Sequence, residues 1–180
     1  MTLGSGISNR LLTDEGGTNR RLRVEEGRHS FFAGTEFRTF KEFATPTTET
    51  YVIKAVVPVN IILMELGITI DAGEVRIETL VGGSEGGTFS ETLPIFPGNT
   101  MSERPAPFYV QQTILTAGGT HTGGTVLDVL RVKAADVSNF GGSVGASFGS
   151  ERGVGAATYY FRLTLAAAVG VWKARWEERP

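Results

Sequence analysis

Two serines stand in the pattern G-x-S-x-G, which presents the nucleophile in many hydrolases. They are Ser84, within residues 82–86, and Ser143, within residues 141–145. In such enzymes a buried strand precedes the serine and a helix follows it, so that the hydroxyl is exposed on a sharp turn. Neither segment is followed by a helical pattern, and a chain with 24 glycines produces such matches easily. We therefore interpret both serines as turn residues.

The two histidines, His29 and His121, are the other candidates for acid–base or metal chemistry. A general base or a zinc site requires convergent carboxylates or a second imidazole. The neighbours of His121 are glycines and threonines. We interpret His121 as an exposed or interface residue at a loop tip.

Acidic residues and glycine-rich segments give no further catalytic pattern. Glu177 and Glu178 are adjacent, so their side chains point apart in an extended chain. A carboxylate pair suited to glycosidic cleavage stays open, because such pairs are assembled in space. The glycines around Arg152 lack the G-x-x-x-x-G-K-[ST] sequence of a phosphate-binding loop.

Aromatic residues near the end of the chain offer one possible binding surface. Trp172 and Trp176, together with Tyr159 and Tyr160, could form a platform on which a sugar stacks. Packing in the core or at a subunit interface is the interpretation we favour. The sequence thus predicts a protein that is not an enzyme, with no catalytic, cofactor-binding or metal-binding residues and no cofactor.

The longest strand signal lies between Tyr51 and Val81. Apolar residues occupy every second position in 51–57, 62–70 and 75–81, which is the period of a strand. The breaks fall at Pro58 and at residues 71–73. This stretch therefore predicts three strands joined by tight connections.

The rest of the chain adds further strands and long glycine-rich connections. Strands are predicted at 36–43 (an edge strand), 88–92, 108–116, 125–133, 157–166 and 169–176, whereas 93–107, 117–124 and 134–155 read as loops. Both faces of 125–133 are partly apolar, as in a strand covered at an interface. About eight strands with paired-glycine turns and long crossings predict an all-β, antiparallel, jelly-roll-like β-sandwich over residues 36–180. An immunoglobulin-like sandwich is the nearest alternative.

Composition limits the partners. The net charge is −2, from 17 basic and 19 acidic residues, and the chain has no cysteine. We expect neither nucleic acid nor a membrane as a partner. Residues 1–35 are polar and glycine-rich and predict an extended N-terminal arm that orders against a neighbour. Its arginines at 20, 21 and 23 sit beside two glutamates and are interpreted as a solvated or interface cluster. No secretory signal or lipid-spanning segment is expected.

Five segments resemble small tailed-bacteriophage virion structural proteins, a similarity that extends over residues 36–180. The segments are VIKAVVPVNIIL (52–63), LPIFPGNTMSERP (93–105), LTAGGTHTGGTVLDVLRV (115–132), ERGVGAATYYFRL (151–163) and ARWEERP (174–180). The resemblance implies particle assembly and a location in the virion, assembled in the host cytoplasm. It carries over no functional residues.

The leading hypothesis is therefore a homo-oligomeric head decoration or cement protein, a dimer or trimer, that binds the major capsid protein lattice. One alternative is a tail, collar or fibre-anchoring component that contacts tail or collar proteins. A receptor- or carbohydrate-binding module is the alternative from another class, and it requires an exposed Trp172 or Tyr159.

Overall fold

The computed structural model describes residues 35–98, 112–134, 144–147 and 151–179. Within these ranges the regular elements are all strands, and every strand pair is antiparallel. The strands are β1 (Glu36–Ala44), β2 (Thr48–Val57), β3 (Asn60–Val81), β4 (Ser84–Gly86), β5 (Glu91–Thr92), β6 (Phe96–Pro97), β7 (Ile114–Ala117), β8 (Thr120–Thr122), β9 (Thr125–Lys133), β10 (Val144–Ser147), β11 (Arg152–Val154) and β12 (Ala157–Arg179). The predicted all-β, antiparallel class is confirmed.

Two long strands, β3 and β12, form the backbone of the main sheet. They pair with each other from end to end. On its other side β12 pairs first with β2 and then with β1. The free side of β3 is covered by β9, β10 and β11 in turn, while β7 and β5 extend the sheet beyond β2 and β6 extends it beyond β1.

The long pair folds over near its middle. The ring centroids of Phe161 and Trp172, both in β12, lie 5.3 Å apart. In a straight strand the same two positions would be separated by about 36 Å, at about 3.3 Å per residue. The sheet therefore curls, so that a β2 half (β2, β7, β9, residues 74–81 and 157–166) faces a β1 half (β1, β10, β11, residues 60–70 and 169–179).

A change of phase in the alternation marks the corner between the halves. In β12 the buried residues are Phe161, Leu163 and Leu165, and after the corner they become Ala168 and Trp172. Odd positions face inward before the corner and even positions after it. The register of the β3–β12 ladder shifts between Ala166 and Val169, and this irregularity keeps one face of the sheet apolar throughout.

The inner faces of both halves form one apolar core. Its largest fully buried side chain is Trp172, and Ile53, Leu66, Ile70 and Ile77 are also fully buried. A two-stranded sheet, β4 with β8, lies on the outer face of the β2 half. There a smaller cluster consists of Val52, Leu80 and Tyr160, against which Phe89 packs.

The structure corrects several predicted boundaries. The break at residues 71–73 is a bend inside β3 rather than a turn between two strands, because β12 stays paired on both sides of it. The predicted strands at 157–166 and 169–176 are likewise one strand, β12. Tight connection of β2 to β3 is confirmed, but the two strands do not pair, since β12 lies between them.

Short strands also occur where loops were predicted. The prediction was wrong for 120–122 (β8), 96–97 (β6), 144–147 (β10) and 152–154 (β11), and the strand expected at 88–92 shrinks to Glu91–Thr92. In contrast, the prediction of β9 at 125–133 is confirmed to the residue. The twelve strands of the described ranges therefore exceed the predicted number of about eight. All of the predicted N-terminal arm, residues 1–35, except Thr35 lies outside the described residues, and the arm stays a prediction.

Candidate functional site

A cavity of about 320 Å³ lies between the two halves of the curled sheet. We call it the sheet cavity. It sits at the ends of β3 and β12 far from the corner, where the two halves diverge. Its wall consists of Ala55, Val57, Ile61, Leu63, Thr79, Thr113, Leu115, Leu127, Asp128, residues 152–155, Tyr159, Phe161, Ala174 and Trp176. Most of these side chains are aliphatic or aromatic, so the cavity offers a mainly apolar surface.

An ion pair joins the two halves at one side of the sheet cavity. Arg152 of β11 donates from Nη1 to Oδ2 of Asp128 in β9. These two strands do not pair with each other and both border β3. The side chains of Arg152 and Asp128 are partly buried, at 33% and 22% exposure. The two charges compensate each other, so this edge of the cavity carries little net charge.

A buried carboxylate joins the halves at another side. Glu178 is 1% exposed and accepts hydrogen bonds from the backbone N–H groups of Gln112 (2.9 Å) and Thr113 (2.8 Å). The indole Nε1–H of Trp176 donates to the same carboxylate at 3.3 Å. Three donors thus satisfy a buried charge, which ties the end of β12 to the start of β7.

One polar group inside the sheet cavity lacks such satisfaction. Thr79 continues the inward alternation of Val75 and Ile77 in β3 and is 6% exposed. Its buried Oγ1 has no hydrogen-bond partner among the described residues. Burial of a hydroxyl without a partner costs free energy, which makes Thr79 an unusual residue of the cavity wall.

A second cluster of polar side chains lies on the outer face of the β2 half. His121 stacks on Tyr160 with ring centroids 3.9 Å apart, and the Tyr160 hydroxyl donates to Oε1 of Glu85 at 2.5 Å. Lys54 pairs with Glu85 at 2.7 Å. The Lys54 and Tyr160 hydrogen bonds lower the pKa of Glu85. Desolvation, followed by the hydrogen bond to Glu85, raises the pKa of Tyr160 to about 12.

The structure overturns the interpretation of His121 as an exposed or interface residue at a loop tip. His121 lies in β8 and is 4% exposed. Its Nε2 is 2.8 Å from the carbonyl oxygen of Gly82 and donates to it, while Nδ1 is buried without a partner in the described part of the chain. A Cβ at position 83 would lie 2.6 Å from Nε2. The glycine at 83 therefore allows the ring to sit under the β4–β8 sheet.

The G-x-S-x-G segment of Ser84 is not arranged as a nucleophile elbow. Ser84 is exposed in β4 and pairs with Thr122 in the ladder, and β4 is followed by bends and a short strand. Within the described ranges the only hydrogen bond of the His121 ring goes to the carbonyl of Gly82. Ser84 and His121, although on neighbouring strands, do not form a nucleophile–base pair. Ser143 and His29 lie outside the described residues.

The aromatic residues divide between the core and the sheet cavity. Trp172 is 0% exposed and Trp176 is 2% exposed, so the prediction that the tryptophans pack in the core is confirmed. Tyr160 belongs to the polar cluster with His121 and Glu85 on the outer face of the β2 half. Tyr159 lines the sheet cavity, where its hydroxyl donates to the carbonyl of Gly155 at 2.9 Å. The four residues do not share one exposed surface. The structure therefore does not form the sugar-stacking platform considered from the sequence.

The structure also shows the surroundings of the remaining candidate residues, Arg152, Glu177 and Glu178. Arg152 pairs with Asp128 instead of facing a phosphate loop. Glu177 pairs with Arg179 at 3.0 Å, whereas the adjacent Glu178 is buried, as the alternation predicts. The described ranges hold no group of three or more His, Cys, Asp or Glu side chains that could bind a metal ion. Among the same residues no helix has the length and apolar character needed to span a bilayer.

Sequence reasoning missed the sheet cavity. Its wall comes from β2, β3, β7, β9, β11 and β12, and no local pattern indicates that these strands converge. A weak signal exists in β3, where Thr79 occupies an inward position in an otherwise apolar alternation. Comparisons with protein-family models, curated proteins and solved structures found no match.

Proposed function

We propose that this protein is a non-enzymatic structural component of a tailed-phage virion, an oligomeric head decoration or cement protein that binds the capsid lattice. The observation that supports association is an exposed apolar strip on β9. Val126, Leu127 and Val129 are 45%, 49% and 48% exposed. Large apolar side chains grouped on one strand are typical of a surface that another protein covers.

The position of β9 in the sheet adds to this support. β3 is the one ladder partner of β9 among the described strands. The side chain of Arg131 is 64% exposed, and Arg131 and Lys133 follow the apolar strip in the last part of the strand. Exposed edge strands are usually protected by charges along their length. The one charged side chain at residues 126–129 is Asp128, which is paired with Arg152, so the apolar residues beside it are suited to contact with a second copy of the chain.

Repetition in a particle strengthens such a contact. A strip of a few residues gives a weak interface in isolation, but symmetry places the same patch at every equivalent position of a shell. Many weak contacts that act together give high avidity. The proposed partners are therefore further copies of this chain, as a dimer or trimer, and the major capsid protein, with neither nucleic acid nor a membrane.

The oligomeric state tests the proposed association. We expect the full chain to sediment as a dimer or trimer, and the double variant Val126→Lys/Val129→Lys to sediment as a monomer, because two buried charges would be added at the interface. Thr50→Lys is the matched control, since it adds a charge at an exposed position on β2. A monomeric wild-type chain, or a double variant that still oligomerises, contradicts the use of this strip.

The copy number in purified particles tests the place in the virion. A decoration protein is expected in numbers comparable to the major capsid protein, whereas a few to a dozen copies would assign the chain to the tail, collar or fibre attachment. Complete absence from particles contradicts the proposed function. The jelly-roll-like sandwich expected from the sequence stays a prediction within this proposal.

A further inference from the structure

We propose that the sheet cavity binds an uncharged, mainly apolar small molecule that carries one hydroxyl or carbonyl group. The exposed strip on β9 and the cavity share Leu127, but different variants test them: Val126→Lys/Val129→Lys for the strip and Thr79→Val for the cavity. It depends on three observations: the size and lining of the cavity, the unpartnered hydroxyl of Thr79, and the compensated charges at the rim.

The size of the cavity sets the size of the ligand. At about 320 Å³ it lies at the lower end of the range for small-molecule sites, roughly 300 to 1,000 Å³. An apolar cavity of about 150 Å³ holds a molecule of benzene. The sheet cavity therefore fits a compound of about two fused rings, or an aliphatic compound of similar volume.

The side chains of the cavity wall favour a ligand whose surface is mainly apolar. Phe161 and Trp176 provide aromatic faces, while Leu63 and Leu115 provide aliphatic contacts. Such a wall gains free energy when it removes apolar ligand surface from water. It offers few groups that could solvate a strongly polar ligand.

Thr79 gives the ligand a polar position in the wall, which also contains the side chain of Thr113. Its side chain belongs to the inner face of β3 and lines the cavity, and its buried Oγ1 has no partner among the described residues. A hydroxyl can donate and also accept, so a ligand hydroxyl or carbonyl would remove the cost of leaving it unsatisfied. A valine at this position would keep nearly the same shape without that cost.

The rim excludes a charged ligand. Among the described residues Arg152 is the one cation that lines the cavity, and its guanidinium is already paired with Asp128. A ligand carboxylate would have to compete with Asp128 and lose its own hydration in an apolar site. A neutral ligand meets neither cost.

Binding of three related probes to the full chain tests the proposal, with equilibrium dialysis near pH 7 as the measurement. The probes are 2-naphthol, naphthalene and 2-naphthoate, which share one body and differ in the polar group. We expect 2-naphthol to bind about five-fold more tightly than naphthalene, the gain of one neutral hydrogen bond. We expect 2-naphthoate to bind more weakly than 2-naphthol.

Two variants locate the binding. Thr79→Val is expected to remove the preference for 2-naphthol while naphthalene still binds. Thr164→Val is the matched control on the opposite face of the sheet, and it should preserve the preference. Ala174→Phe places a ring in the cavity and should abolish binding of both neutral probes. If this variant does not fold, Thr79→Val alone decides the outcome.

Three results overturn the proposal. No binding of either neutral probe would mean that the chain itself or water fills the cavity. Tighter binding of 2-naphthoate would mean that the ligand class is anionic. A preference for 2-naphthol that survives in Thr79→Val would mean that the Thr79 hydroxyl does not supply the polar contact.

Discussion

A Cβ atom built on Gly73 would lie 2.3 Å from the carbonyl oxygen of Ala167, across the corner at which β3 and β12 fold over. Gly73 has a φ of 77°, in the left-handed region that favours glycine. Its carbonyl accepts the N–H of Ala134 at 2.9 Å, which fixes the end of β9 to the corner. The corner thus requires a residue without a side chain at this position.

Gly73→Ala is therefore expected to destabilise the protein by about 3 kcal/mol or more, from backbone strain together with the clash. Gly82→Ala is the matched control, because Gly82 has a φ of 69° but a Cβ there would meet nothing within 4 Å. It should cost about 1 kcal/mol. Chemical denaturation of the two variants separates strain from clash, and equal losses would contradict this account of the corner.

Glu178→Ala is expected to destabilise the fold by about 3 kcal/mol, because it leaves the N–H groups of Gln112 and Thr113 without their acceptor. Glu178→Gln should cost less, since the amide keeps one acceptor oxygen. Glu65→Ala is the control, because the Glu65–Lys173 pair is a surface ion pair at 2.7 Å, worth about 0 to 1 kcal/mol. Urea midpoints measure all three. A Glu178→Ala variant as stable as Glu65→Ala would show that the connection between β12 and β7 contributes little.

The polar cluster of Tyr160, Glu85, Lys54 and His121 on the outer face of the β2 half predicts that the protein loses stability at high pH. Burial and the hydrogen bond to Glu85 raise the pKa of Tyr160 from its ordinary 10.0 to about 12. A tyrosine whose pKa is higher in the folded state stabilises the fold below pH 10, and this contribution is lost as the pH rises toward 12. Burial and Glu91 also raise the pKa of Tyr51, which acts in the same direction.

Tyr160→Phe should therefore lose less stability than the wild type between pH 9 and pH 12, although it is less stable at pH 9 because the Glu85 hydrogen bond is gone. Glu85→Gln should reduce the loss in part, since burial of Tyr160 is unchanged. Denaturant midpoints across this range provide the measurement. If the phenylalanine variant shows the full wild-type decrease, the decrease has another origin, with Tyr51 as the first candidate.

Local patterns predicted the strands well where glycine pairs mark their ends. β9 begins directly after Gly123 and Gly124, and its bounds match the prediction. Near Gly73 the same kind of signal gave the wrong result, because aspartate and glycine mark a bend within a strand as well as a turn between strands. Only the continuous partner strand β12 distinguishes the two, and a partner so distant in sequence leaves no local signal.

The candidate sites depended even more on tertiary contacts. His121 lies between glycine-rich turns, and nothing in that segment indicates the ring of Tyr160 that buries it. The sheet cavity depends on the fold-over of β12, which brings Tyr159 and Trp176 to the same wall. Because alternation predicts which face a residue occupies but not where the sheet bends, the sequence predicted the core tryptophans and missed the cavity.

The corner also contains a strained residue, Ala167, and the effect of removing its strain can be measured. Ala167 has a φ of 45°, the one non-glycine residue with positive φ in the described ranges, which costs an alanine about 1 to 2 kcal/mol. Ala167→Gly removes this strain. It also adds a cost of about 0.5 to 1 kcal/mol, because glycine loses more backbone entropy on folding than alanine does. The free energy of unfolding should therefore stay unchanged or rise by up to about 1.5 kcal/mol. Ala166→Gly, in the regular ladder next to it, should lower stability by about 0.5 to 1 kcal/mol. Thermal and urea unfolding of both variants test the difference, and a loss in Ala167→Gly as large as in Ala166→Gly would mean that the positive φ of Ala167 stores no strain.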